Sequence, residues 1–123
     1  MTQDSRIRFV FFGSDDFSIA VLDVLAFAGF YPTLVVTVPD KPKGRRLILS
    51  SPPVKTWADE HTIPVIQPTS PSDSLVIDKL KGANCRLFIV ASFGKIIPKS
   101  VLEIPKLGAL NVHPSLLPKF RGA

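Results

Sequence analysis

Apolar and polar positions along this chain fall into short runs of two alternating kinds. Arg8-Phe-Val-Phe-Phe-Gly13 is continuously apolar and ends on glycine, the pattern of a strand buried on both faces. Ser14 or Asp15 can cap the helix that follows, because a short side-chain oxygen accepts from the free N–H groups of a first turn. Val21, Leu22, Val24, Leu25 and Ala28 then recur at helical spacing until Gly29 stops the helix. Thr33-Leu-Val-Val-Thr-Val38 is β-branched and closes at Pro39-Asp40, which predicts a second strand. Residues 39–53 hold four prolines and one glycine and read as an irregular loop.

Pro53 to Glu60 predicts a short helix with proline in its first turn, and Ile63-Pro-Val-Ile66 a brief strand whose proline favours an edge. Ser72 or Asp73 can cap a helix carrying Leu75, Val76, Ile77 and Leu80 and ended by Gly82. Arg86 to Ala91 is another strongly apolar strand, Lys99 to Glu103 a helical turn or two, and Ala109-Leu-Asn-Val-His113 a strand that runs into Pro114. Strand and helix alternate throughout, which predicts an open parallel sheet. Ser115 to Ala123 reads as loop, with no repeat or low-complexity tract anywhere.

Composition narrows the class. With 123 residues, 46% of them apolar, the chain has the size of one domain and enough apolar material to argue against disorder. Its mean hydropathy of +0.28 is high, yet the longest apolar stretch, Phe17 to Phe30, is broken by Ser18 and Asp23. That stretch falls short of the roughly 20 residues a membrane span needs. Met1 to Arg8 is polar and lacks the layout of a signal peptide. Cys85, His61 and His113 are too few for a disulfide framework or a zinc site of four Cys/His ligands. A cytoplasmic domain is the simplest expectation.

The net charge of +5 is uneven: residues 1–40 carry −3, while residues 41–55 carry five bases and no acid. Lys41-Pro-Lys-Gly-Arg-Arg46 reads either as a solvated loop or as a patch for phosphate or nucleic acid, without the aromatic residues that stack on single strands. Gly13-Ser-Asp-Asp-Phe17 is a glycine turn into a helix N-terminus and lacks the G-x-G-x-x-G fingerprint of a dinucleotide site. Ala91-Ser-Phe-Gly-Lys-Ile-Ile-Pro98 reads as an apolar pocket wall or as core. Asn111 and His113 stand two apart at a strand's carboxyl end, where ligands of such sheets bind. An amide that donates to a carbonyl oxygen and an imidazole that exchanges protons suit acyl transfer; a histidine bonded only to its neighbours is the alternative. Ser115 follows with no evident acid to make it a nucleophile.

Asn111-Val-His-Pro-Ser-Leu-Leu-Pro-Lys-Phe-Arg-Gly122 resembles the Asn-x-His…Ser-Leu-Leu-Pro-x-x-Arg-Gly signature of the formyltransferases that use 10-formyltetrahydrofolate. Phe12-Gly-Ser-Asp-Asp-Phe17 is similar to their Gly-Thr-Pro-Asp/Glu-Phe turn. Val38-Pro-Asp-Lys-Pro-Lys-Gly-Arg45, Pro53-Val-Lys55, Ile63-Pro-Val-Ile-Gln-Pro68 and Ala91 to Pro98 resemble stretches of the branch acting on methionyl-tRNA. The resemblance spans about Arg8 to Ala123.

What the resemblance implies is a Rossmann-like open parallel sheet with helices on both faces, incomplete at the C-terminus. It implies formyl transfer from 10-formyltetrahydrofolate to the amino group of initiator Met-tRNA, with no metal and no membrane. Asn111 would hold the formyl oxygen and His113 would shuttle protons. Phe93, Gly94, Lys95, Ile96 and Ile97, with Leu102 nearby, would line the pterin pocket. Ser115, Leu116, Leu117 and Pro118, together with Arg121, would shape the loop under the formyl group. Gly13, Ser14 and Phe17 would border the acceptor, and Lys41, Lys43, Arg45 and Arg46 would approach the tRNA. Amino sugar nucleotides or other amines are the alternative acceptors.

The chain departs from the pattern in three places. Arg46-Leu-Ile48 stands where the family commonly has Gly-Lys-Lys, and Pro52 replaces the serine of Ser-Pro-Val-Lys. The family's catalytic aspartate belongs to a later Asp-x-Gly segment that these 123 residues do not contain. The expectation is therefore the N-terminal part of a catalytic domain, without the family's C-terminal tRNA-binding barrel. Alone, such a chain would be inactive, a folate-binding or assembly module at most, and its unfinished sheet would favour self-association.

Overall fold

A computed structural model describes residues 7–114. Five strands form one wholly parallel sheet: β1 (Phe9–Gly13), β2 (Leu34–Val36), β5 (Val65–Ile66), β6 (Leu87–Ala91) and β7 (Ala109–Asn111). Their spatial order is β5-β2-β1-β6-β7. The helices are α1 (Asp16–Phe27), α2 (Pro53–Glu60), α3 (Ser74–Gly82) and α4 (Lys99–Leu102).

The continuous apolar run of β1 is explained by its central place. Val10 and Phe12 join Leu34, Val36 and Phe88 on one face, covered by Val76 and Leu80 of α3 and Val101 of α4. Phe9 and Phe11 join Val35, Ile89 and Ala91 on the other, covered by Leu22 of α1 and by Val54, Trp57 and Ala58 of α2. Each strand residue thus serves one of two cores by parity, and a polar residue in β1 would be buried on either side. On the α3 face Phe12 packs against Phe88 with ring centroids 5.0 Å apart, and edge-on against Phe93 at 5.4 Å. Between α1 and α2, the indole of Trp57 stacks on His61 at 4.0 Å and donates to Asp23 Oδ1 at 3.0 Å.

Local chemistry accounts for the helix ends. Asp15 caps α1 in a capping box with Ser18, Asp73 caps α3 through the Leu75 N–H, and Pro53 opens α2 at a position whose N–H needs no partner. Gly29 leaves α1 at φ +90°, as expected of its terminator.

Three sequence expectations are corrected. Residues 39–53 are not wholly irregular: β3 (Lys41–Lys43) and β4 (Ile48–Ser50) pair antiparallel as a separate exposed hairpin. Pro42 is tolerated because a two-stranded ribbon has an outward side needing no N–H. Helix α3 does end at Gly82, but the left-handed residue that turns the chain is Asn84 at φ +54°, a side chain that accepts this conformation, not the glycine. The last strand ends at Asn111, although the Val112 N–H still donates to the Val90 carbonyl at 2.8 Å, so His113 lies past the ladder rather than in it.

Candidate functional site

The carboxyl ends of β1, β2, β6 and β7 converge at one end of the sheet, and two of the loops leaving it are joined by serines. Ser14 follows β1. Its N–H donates to the Ser92 carbonyl at 3.1 Å, and its hydroxyl donates to the Phe93 carbonyl at 2.7 Å. The buried Ser18 hydroxyl donates to the Ala91 carbonyl at 2.5 Å and accepts from the Ser14 N–H at 2.9 Å. Buried Thr37, just beyond β2, donates to the Ser14 hydroxyl at 3.2 Å. Three successive carbonyls, 91 to 93, are thereby tied to the turn between β1 and α1.

Gly13 is what lets the chain fold from β1 against the first turn of α1 so closely. A Cβ there would stand 2.5 Å from the Phe11 ring, 2.7 Å from the Ser18 hydroxyl and 2.8 Å from the Ser18 Cβ. Asp15 closes the network: Oδ1 accepts the Ser18 N–H at 3.2 Å, and Oδ2 accepts the Ser92 hydroxyl at 2.5 Å. Partial burial pushes the Asp15 carboxyl up, but hydrogen bonds from Ser92, Ser18 and the Phe17 backbone outweigh it and hold it below the usual range.

The loop after β6 reverses hand twice, at Ser92 (φ +58°) and Gly94 (φ +93°). Phe93 turns its ring into the core, so only its backbone faces the crevice. Lys95 Nζ donates to the Thr69 carbonyl at 2.7 Å. Ile96 is 91% exposed, whereas Ile97 and Leu102 pack on the edge of the α3-face core.

His113 lines an apolar groove of about 380 Å³ together with Phe17, Val21, Val24, Val112 and Pro114. Phe17 and His113, 96 positions apart, thus meet in one groove. Asn111 is exposed, stands opposite Val90 in the register and is not among that groove's lining residues; among the described residues no carboxylate lines it either. Across the β1–α1 turn lies a second groove of about 330 Å³, lined by Ser14, Asp15, Pro39, Lys41, Lys43, Ser51 and others. It leads to the hairpin, whose turn at residues 44–47 places Arg45 and Arg46 at the tip, exposed and in no ion pair among the described residues.

The hairpin's root is fastened. The Gln67 side chain donates to the Val38 carbonyl at 3.2 Å and to Asp40 Oδ1 at 2.7 Å. That bond, opposed by slight burial and helped by Ser51 and the Lys55 charge, lowers the Asp40 carboxyl.

The structure therefore groups Gly13 and Ser14 with Phe93 and Gly94, Phe17 with His113, and Ser14 with Lys41 and Lys43. Ser115, Leu116, Leu117, Pro118 and Arg121 lie outside the described residues. Sequence reading did not single out Ser18, Thr37, Asp40, Gln67 or Ser92. The Asp15–Ser18 spacing of a capping box was the one local signal available; the others act across tens of residues. Among the described residues no group of three or more His, Cys, Asp and Glu could hold a metal, and no helix is long and apolar enough to cross a membrane.

Comparison with known proteins agrees with this architecture. Glycinamide ribonucleotide transformylase 1 from Geobacillus kaustophilus superposes with a TM-score of 0.60 at 24% identity, over 94% of this chain and 62% of that one. The corresponding enzyme from Symbiobacterium toebii gives 0.62 at 18% identity, over 96% and 56%. At such identities these two share the fold. Methionyl-tRNA formyltransferase of Clostridioides difficile is 48% identical over 117 residues, and that of Syntrophus aciditrophicus 44% identical over 119. The matches cover 95% and 97% of this chain but 38% of each relative, so the chain spans well under half their length. The formyl transferase family matches residues 6–123. This chain belongs to the formyl transferase family.

Proposed function

We propose that the protein transfers a formyl group from 10-formyltetrahydrofolate to the amino group of initiator Met-tRNA, and that residues 1–123 are the N-terminal part of its catalytic domain. The observation that carries this reading is the meeting of His113 and Phe17 in one apolar groove at the carboxyl end of the sheet. Relatives at 44–48% identity named for methionyl-tRNA support the acceptor.

In this reading the amine forms a bond to the formyl carbon while the carbonyl oxygen gains charge. The Asn111 side-chain amide donates to that oxygen. His113 takes the proton the amine must lose and returns it to the folate nitrogen as the bond from carbon to that nitrogen breaks. The backbone of residues 93–97 receives the folate, with Ile96 and Ile97 as apolar contacts and Leu102 supporting them from behind. Ser115 to Pro118 and Arg121 close the formyl side. Ser14 and Lys41 and Lys43 border the acceptor groove, and the hairpin carries Arg45 and Arg46 to the tRNA backbone. No metal takes part, and the work is done in the cytoplasm.

Among the described residues no carboxylate lines the His113 groove, whereas the family pairs one with its histidine. We therefore expect residues 1–123 alone to give no measurable turnover, because members of such a unit do not act independently. The test is steady-state formylation of Met-tRNA by the protein as its gene encodes it. His113→Ala should lower kcat/KM by about 10²-fold or more. Turnover unchanged in that variant, or faster formylation of an amino sugar nucleotide or glycinamide ribonucleotide than of Met-tRNA, would overturn the reading.

A further inference from the structure

Asp15 has two carboxylate oxygens and uses them for different things. Oδ1 accepts the Ser18 N–H, which is all that capping α1 requires. Oδ2 reaches 77 positions along the chain to take the Ser92 hydroxyl at 2.5 Å. Ser92 is a side-chain-bearing residue at φ +58°, a conformation L-residues adopt uncommonly and do not hold without support. Gly94, two residues on at φ +93°, needs no such support.

Beyond Ser92 the loop is fastened twice more, by the Ser14 hydroxyl on the Phe93 carbonyl and by Lys95 Nζ on the Thr69 carbonyl. Just past the Lys95 tie it displays Ile96, 91% exposed. Its side chain makes no contribution to the core.

We propose that Asp15 and Ser92 are a positioning pair: the carboxylate holds Ser92 left-handed, and that one backbone conformation sets the shape in which residues 93–97 meet the folate. The proposal rests on the functional reading above. Neither residue touches a reacting atom; both act through the loop.

The test compares four variants of the whole protein by calorimetric titration with folic acid and by amide hydrogen exchange at residues 93–97. Asp15→Ser keeps a capping oxygen for α1 but withdraws the second one. Ser92→Ala removes the hydroxyl and keeps the strain, whereas Ser92→Gly removes the hydroxyl and the strain together. Losing a hydrogen bond to a charged group should weaken folic acid binding about tenfold in Asp15→Ser and in Ser92→Ala, with faster exchange at 93–97. Ser92→Gly should stay within about threefold of the parent, and adding it to Asp15→Ser should restore most of the loss. A purely structural role for the bond would not give that rescue. Parent-like binding by Asp15→Ser and Ser92→Ala, or Ser92→Gly as weak as Ser92→Ala, overturns the proposal. If the parent itself fails to bind folic acid, the functional reading fails, and exchange at 93–97 then decides the pair: unchanged rates in Asp15→Ser overturn it.

Discussion

Two regions at the same end of the sheet are built on opposite principles. The turn after β1 and the loop after β6 are joined by hydroxyls, backbone carbonyls and one carboxylate, and Gly13 lets β1 turn tightly into α1 beside them. The hairpin of residues 41–50 is held at its root by Gln67 and Asp40 and is otherwise open, with Lys41, Lys43, Arg45 and Arg46 displayed alongside exposed Leu47, Ile48 and Leu49. The first region has its shape before any ligand arrives. The second has charge and reach, and its partner must supply the remaining contacts. Chemistry that needs fixed geometry belongs to the first; capture of a large polyanion suits the second.

Substitutions should separate the two. Gly13→Ala drives a methyl into Phe11 and Ser18, both fully buried, and should cost about 3 kcal/mol in chemical denaturation. Ser18→Ala strips the side-chain partner from the Asp15 N–H and the Ala91 carbonyl and should cost about 1–3 kcal/mol. If either is neutral, the tight region is looser than its hydrogen bonds imply. Arg45→Ala with Arg46→Ala should leave stability within about 0.5 kcal/mol, as exposed surface changes do. The same pair should flatten the slope of log affinity for tRNA against log salt by about 1.5–2, if both bases meet phosphates. An unchanged slope would remove the hairpin from the RNA surface.

The smallest effect is the dependence on acid. Asp15 ionises more readily folded than unfolded, so the unfolded chain binds the proton first as pH falls. Its contribution is full above the ordinary carboxylate value of 3.8 and is lost as pH drops through the lowered folded value. Asp15→Asn keeps a capping side chain, so parent and variant should differ in stability at neutral pH and converge in strong acid. A difference that persists unchanged in acid would mean that charge is not what Asp15 contributes.

Much of the fold could be read in advance because β1 and β6 are buried on both faces, and such strands announce themselves as unbroken apolar runs. The caps at Asp15 and Asp73 were legible for a similar reason: their partners lie within three residues. The hairpin was missed because the signals that predict a loop, Pro42 and Gly44, are also compatible with a ribbon. For the candidate site, residue type and strand-end position single out Asn111 and His113 as candidates. The bonds from Ser14 to Phe93 and from Ser92 to Asp15 could not be found this way, since they join residues 79 and 77 positions apart whose types are common in any loop. For Phe93 the sequence leaves pocket wall and core both open, and the ring packs into the core.

The contact between α1 and α2 has a practical consequence. Trp57 is the chain's one tryptophan, 5% exposed, with His61 stacked on one side and Asp23 on its indole nitrogen. Its fluorescence therefore reports on a single seam. Any loosening of α1 against α2 admits water to the indole and shifts its emission to longer wavelength. The molecule carries its own optical gauge, on the face of the sheet that α1 and α2 cover, and it can be read without a label while ligands are added at the crevice.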